Sequence, residues 1–290
     1  MTLLRTSIAA LFLLNLVTLS TAPAADAGIG TSFKGPIGLQ LYSLREQFGK
    51  DVPGSLNKVS DMGFKNVELA GTYDRTPAEF KVELAKHGLK AISAHFGYDD
   101  FKNKLGSVVQ DAKELGVQYA GCAWITHSGP FNEKTCREAA EVFNKAGEAL
   151  AKEDIKFFYH THGYEFVPFG SETLFDLLVK ETDAKNVVYE MDVFWVVHAG
   201  HKPDDVFEKH GNRFELVHLK DMKKGTPTGL LTGGTDVKND VPLGTGLIDY
   251  RRTLAAAQKA GVKWYFIEDE SPTSEDQIPQ SLKYLENVTW

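Results

Sequence analysis

Cysteine is scarce in this chain, with Cys122 and Cys136 the two among 290 residues. Two thiols cannot make a disulfide framework, so an apolar core must carry the fold, and their pairing in an oxidising compartment is left open. Positive charge is short as well: 32 Lys and Arg stand against 39 Asp and Glu, for a formal net charge of −7, with no basic cluster. This excludes the strongly cationic surface that displaces counterions from nucleic acid, and no nucleic-acid partner is expected. No Gly-rich phosphate-cradling motif is present, which disfavours a phosphorylated ligand. The long apolar run SIAALFLLNLVTLS that follows Arg5 is too short to span a bilayer comfortably.

What is present begins with that run. A basic residue, an apolar stretch and then the small residues Ala22-Pro23-Ala24 or Ala25-Asp26-Ala27 form the three parts of a secretory signal peptide. The expected division is a signal peptide over residues 1–27 and a mature chain over 28–290, periplasmic or secreted. No cysteine stands directly after the apolar run, so no lipid anchor is expected, and the shortness of the run argues against a membrane anchor after processing. The remaining stretch suits one (β/α)8 barrel, typically about 250 residues, and requires no second domain.

Beyond Gly35 a short apolar run alternates with an amphipathic stretch eight times, the pattern of βαβ units in a parallel sheet. The runs are IGLQLYSL, NVELA, KAISAHF, QYAGCAW, KFFYHTH, VVYEMDVF, FELVHLKDM and WYFIEDE. Thr76-Pro77 and Gly88 read as a helix start and stop, FKNKLGSVVQDAKELG as a helix ended by Gly116, and Ser171 with Glu172 as a cap. Eight such units with right-handed crossovers predict an α/β fold, a single-domain (β/α)8 TIM barrel. The connection from Lys223 to Gly246, rich in Gly and Thr, is long for a compact domain and reads as a lid over the mouth.

Active sites of such barrels lie at the carboxyl ends of the strands. Five of the nine histidines fall there: His95, His160, His162 and His218 end predicted strands, and His127 follows the fourth. His87, His198, His201 and His210 fall on helices or connections and are expected to be solvated. Asp192, His218 and Glu268 end three neighbouring strands behind apolar residues, so their charges need neutralising, and a divalent cation is the economical answer. Oxygen-rich ligands with one imidazole suit Mn²⁺, Mg²⁺ or Co²⁺, with Zn²⁺ within range. Salt bridges to Lys220 and Arg213 are the bland alternative. Glu190 shares the inward parity of Asp192 and reads as a rival ligand or a buried carboxylate one layer down. Lys220 shares the parity of His218 one step further along.

The segments YHTHGYEF, MDVFW with HAG, VHLKDM, PLGTGLIDY and FIEDE, with the opening IGLQLYSLRE, together resemble the xylose isomerase-like barrel family of sugar isomerases and epimerases. The likeness runs through the whole mature chain. It implies a divalent metal held from strands five to eight, on matching positions Glu165, Asp192, His218 and Glu268, with Glu165 and Glu268 also moving protons. In the family the first glutamate stands at the end of strand five itself. Here His160 or His162 occupies that place, so Glu165 must reach back from the loop or a histidine must supply the fourth ligand.

Such groups remove a proton next to a carbonyl and stabilise the enediolate that results. Lys220 and His162 are the candidates to orient or polarise sugar oxygens. His95, His127 and His160 are candidates to bind substrate, with Trp124 and Trp195 against its apolar face. The leading expectation is a metal-dependent isomerase or epimerase acting on a small, unphosphorylated carbohydrate. The alternative is a lyase that cleaves 3-keto-glycosides by β-elimination. A metal-dependent endonuclease of the same superfamily and a non-catalytic sugar-binding protein are less favoured, and oligomeric state is left open.

Overall fold

The computed structural model describes residues 27–290. The expected signal peptide lies outside the described residues, apart from its last position. Eight parallel strands close into a barrel: β1 (Ile37–Gln40), β2 (Asn66–Leu69), β3 (Lys90–His95), β4 (Tyr119–Cys122), β5 (Lys156–His160), β6 (Val187–Asp192), β7 (Phe214–Leu219) and β8 (Trp264–Ile267). Each pairs with its neighbours in sequence, and β1 closes the ring by pairing with both β2 and β8. The expected (β/α)8 barrel is therefore the observed fold.

Local signals set most helix ends. Thr76 forms a capping box with Glu79 at the start of the helix Pro77–Lys86, satisfying N–H groups that the first turn cannot pair. Gly116, at φ +74°, ends the helix Leu105–Leu115, a conformation that favours glycine. Two expectations need correction. The stretch before Gly116 holds two helices, Tyr98–Asn103 and Leu105–Leu115, because Lys104 leaves helical geometry at φ −137°. The helix Leu174–Glu181 is capped by Thr173, whose Oγ1 accepts the Asp176 N–H at 3.2 Å, and not by Ser171 or Glu172. Glu172 instead pairs in a short antiparallel ladder with Phe169.

Inward residues recur with the period of two that a pleated strand imposes. Phe158, Val188, Leu216 and Phe266 pack with Ile92 and Tyr119 as an apolar plug inside the barrel. Glycine makes room for it. A Cβ at Gly38 would stand 2.7 Å from the Phe266 ring, and one at Gly121 would stand 2.0 Å from the Phe158 carbonyl oxygen. Two residues further along, the same strands turn polar, with His160, Glu190, His218 and Glu268 all buried.

Cys122 and Cys136 are buried free thiols, and the Cys136 Sγ donates to the Leu174 carbonyl at 3.2 Å. The four histidines expected in solvent are not free of the protein. His198 is 1% exposed, and its carbonyl accepts the N–H groups of Gly229 and Leu230. His210 Nε2 lies 2.6 Å from Asp176 Oδ1, His87 Nδ1 lies 2.8 Å from Asn57 Oδ1, and His201 packs on the Phe166 ring. Connections on the barrel surface fold back onto neighbouring helices, which a one-dimensional reading does not register. Among the described residues no helix is long and apolar enough to cross a membrane.

Candidate active site

The strand ends that turn polar line a cavity of about 400 Å³ at the carboxyl-terminal mouth of the barrel. Its charged groups form two tiers. In the inner tier Glu68, on β2, is fully buried and gathers four donors. Its Oε1 lies 2.7 Å from Gln40 Nε2, 2.9 Å from His95 Nε2 and 2.5 Å from His218 Nε2, and its Oε2 accepts the Ser93 hydroxyl at 2.5 Å. Glu190, on β6, lies beside it, with Oε2 2.9 Å from His160 Nδ1 and 3.1 Å from His218 Nε2. Burial opposes the charge on Glu68, but His95 and His218 outweigh it and hold the carboxyl well below its usual range. Burial likewise opposes the charge on His95, yet Glu68 and Glu190 raise its pKa to about 9.

The outer tier faces the opening. Asp192, His218 and Glu268 offer donor atoms within 4.8 Å of one another. Glu268 Oε2 stands 3.2 Å from His218 Nδ1 and 3.4 Å from Lys220 Nζ. Lys220 also forms a short ion pair with Glu270 and lies 3.6 Å from Asp240 Oδ2. Burial works against the ammonium, but Glu268, Asp240 and Glu270 keep its pKa well above the usual lysine value. Its charge also lies 5.5 Å from the centre of the Trp195 ring, a cation–π distance. Arg213 takes no part, since it donates to the Val179 and Val187 carbonyls beneath the barrel wall.

This outer tier is short of positive charge. Burial pushes Asp192 up to about 8, with Lys220 opposing, and pushes Asp240 up to about 7. The buried Asp192 Oδ2 of this tier has no hydrogen-bond partner among the described residues, as holds also for Glu190 Oε1 in the inner tier and for Glu165 Oε2. Buried carboxylate oxygens without partners are costly unless a cation joins them, so the donor set fits a divalent metal.

The structure brings Asp192, His218, Glu268, Lys220, His95, His160, His162, Trp124 and Trp195 to the one cavity. Converging donors form two groups, Asp192 with His218 and Glu268, and His95 with His160, Glu190 and His218; Glu165 belongs to neither and is not among the lining residues of the cavity. Gly163, at φ +86°, turns the chain into a short 3₁₀ segment over Tyr164–Phe166. That turn draws the Glu165 carboxylate inward, where Oε1 accepts the His162 N–H at 2.8 Å and burial raises its pKa to about 7. In this geometry Glu165 bonds within its own turn, and His160 Nε2 lies 3.6 Å from Asp192 Oδ2. His127 also sits apart, stacked on Trp124 with Nδ1 2.6 Å from the Ile125 carbonyl oxygen. Sequence reasoning passed over Glu68, Asp240 and Glu270. A single carboxylate inside the apolar NVELA run was the available signal for the first.

The long loop closes one side of the cavity through Gly233, Gly234, Thr235, Val237 and Asp240. Asp221 pins its base, with Oδ2 accepting the N–H groups of Gly244 and Gly246 at 2.9 Å each.

The family model described as xylose isomerase-like TIM barrel matches residues 56–288. The chain belongs to this family. An inosose dehydratase from Clostridium botulinum (strain Alaska E43 / Type E3) is 27% identical over 260 residues, covering 79% of this chain and 85% of that protein. A sugar phosphate isomerase/epimerase from Parabacteroides distasonis superposes with a TM-score of 0.72 at 25% identity, covering 92% of this chain and 99% of the other. An IolI protein whose structure holds a zinc atom shares the barrel, with a TM-score of 0.67 at 16% identity over 85% of this chain and 95% of that one.

Proposed function

We propose that this member of the xylose isomerase-like barrel family is a metal-dependent lyase that eliminates a β-substituent from a small keto-sugar or keto-polyol. The observation that carries the reading is the Asp192, His218 and Glu268 group, set beside the Lys220 ammonium at the cavity mouth. Asp192, His218 and Glu268, with His160 on the strand-five side, are the residues that would hold the cation. Mixed imidazole and carboxylate donors suit Mn²⁺, Co²⁺ or Zn²⁺, with Mg²⁺ less favoured by two nitrogens. When bound, such an ion polarises a carbonyl and stabilises negative charge on its oxygen.

The protein's own groups supply the rest. Glu268, kept ionised by Lys220 and His218 against the effect of burial, accepts the proton from the carbon next to the carbonyl. The electron pair left there forms the new double bond as the bond to the β-oxygen breaks, and the proton returns to the departing oxygen. Lys220 stays charged throughout and steadies the carbonyl oxygen as it gains charge. Burial, reinforced by Lys220, lowers His162 to about 3, so its imidazole faces the substrate neutral and able to accept a hydrogen bond. Trp124 and Trp195 offer apolar faces to the sugar ring.

Elimination takes precedence here over the isomerisation expected first from the sequence, because the curated relative is a dehydratase. Isomerisation or epimerisation remains the second reading, favoured by the named activity of the Parabacteroides distasonis structure. Glu268, Glu270 and Asp240 around one lysine repel a phosphate group, so the substrate is proposed to be unphosphorylated. Action outside the cytoplasm is part of the proposal, from the signal-peptide pattern of residues 1–27 in the sequence. The test is incubation of metal-loaded protein with inosose, free keto-sugars and 3-keto-glycosides, followed by product NMR. An unsaturated ketone with release of water or an alcohol is expected, whereas a saturated epimer or isomer as the sole product overturns the elimination reading.

A further inference from the structure

The inner tier contains two carboxylates that touch no solvent and have no part in the chemistry above. Both hold histidines that face the outer tier. A carboxylate accepts and does not donate, so a ring nitrogen against one carries a hydrogen; a cation bound at the outer carboxylates would take the place of the hydrogen on that side and leave the one that faces the inner carboxylate. His218 turns Nε2 to Glu68 at 2.5 Å and to Glu190 at 3.1 Å, which leaves Nδ1 toward Glu268. His160 turns Nδ1 to Glu190 at 2.9 Å, which leaves Nε2 toward Asp192. His218 thus presents Nδ1 to Glu268, and His160 presents the opposite nitrogen, Nε2, to Asp192.

We propose that Glu68 and Glu190 are positioning residues that fix opposite tautomers on His218 and His160, so that Nδ1 of one and Nε2 of the other converge on the outer cation site. This rests on the metal reading above and adds to it the residues that prepare the ligands. A ring whose far nitrogen is held by a carboxylate is fixed in orientation and made more basic, and loss of such a partner typically costs about 10- to 100-fold in metal affinity. Glu68 is well placed for the task. Gln40 on β1, Ser93 and His95 on β3 and His218 on β7 all bond to it, so the carboxylate cannot turn without breaking contacts to three strands. The brace reaches His218 directly across the barrel interior.

The experiment uses the protein stripped of metal and titrated with Zn²⁺ by calorimetry, together with ¹⁵N-histidine NMR of the zinc-loaded protein. In wild type, one histidine should bind zinc through Nδ1 with a proton on Nε2, and a second through Nε2 with a proton on Nδ1. His218→Ala and His160→Ala assign the two. Glu68→Ala should weaken zinc binding about 10- to 100-fold and remove the single-tautomer signature of His218. Glu68→Gln, which keeps an accepting oxygen and the packing, should restore a defined Nε2–H and much of the affinity. Glu190→Gln should disturb His160 more than His218. Zinc affinity within twofold of wild type in both Glu68 variants, or zinc on His218 Nε2, overturns the inference while leaving the metal reading intact. A wild-type protein that binds no divalent ion overturns both.

Discussion

Lys220 Nζ and Glu268 Oε2 lie 3.4 Å apart at the mouth of the barrel, each almost closed to solvent. The pair joins a fixed positive charge to the proposed base, so the two variants should fail differently. Glu268→Gln keeps an oxygen ligand and loses the basicity. It should retain measurable metal and lose about 10²- to 10⁴-fold in kcat, as read from single-turnover product formation and metal analysis. Lys220→Met should retain full metal and lower kcat and solvent exchange at the carbon next to the carbonyl together, because the ammonium stabilises the charge that develops on the carbonyl oxygen. Wild-type turnover in either variant removes that residue from the reaction.

Loss of a donor should separate the two candidates on the strand-five side. Asp192→Ala and His218→Ala should abolish stoichiometric metal while circular dichroism still reports a folded barrel, because these residues end strands rather than fill the apolar plug. His160→Gln should weaken metal binding severely. Glu165→Gln should leave it near wild type, since that carboxylate faces the Tyr164–Phe166 turn. The reverse order for the last two would restore Glu165 as the ligand.

The loop prediction rests on one close approach. A Cβ at residue 233 would stand 2.8 Å from both the Trp124 and Tyr164 rings, and Gly233 has φ +61°. Gly233→Ala should therefore lift the segment from the rim, raising KM several-fold and speeding protease cleavage between Lys223 and Gly246. Bound substrate should slow that cleavage in wild type. Equal cleavage with and without ligand counts against a lid.

Far from the chemistry, Asp176 gives a pH dependence whose sign is fixed. Burial alone would raise its pKa, but hydrogen bonds from Lys209 and His210 bring it down from 3.8 to about 2. A lowered folded pKa gives stability that is present above the unfolded value and is lost as pH falls toward the folded one. Asp176→Asn should lower stability at pH 7 by about 1–3 kcal/mol, and the gap from wild type should close between pH 4 and pH 2. Urea titrations across that range measure it.

The barrel was legible in the sequence because its signal is repetitive: apolar runs at regular intervals, with caps such as Thr76 and stops such as Gly116 marking the helices between them. The outer donors were legible for the same reason, since Asp192, His218 and Glu268 each close an apolar run. Glu68 was hidden because its partners lie on strands one, three and seven, and no local pattern announces a contact between residues 68 and 218. The place of Glu165 was not legible, because spacing along the chain says nothing of a left-handed turn at Gly163, which decides where the next carboxylate points.

The apolar plug formed by Phe158 and Phe266, which Gly38 and Gly121 make room for, turns the chamber above it into a vessel with one doorway. Residues 233–235 and Val237 line the cavity at that doorway, so a ligand of the proposed site would enter beside them. If the proposed elimination takes place here, a small leaving group such as water would need less displacement of that segment than a sugar, and the bulk of the leaving group would then bear on turnover alongside the acidity of the proton removed.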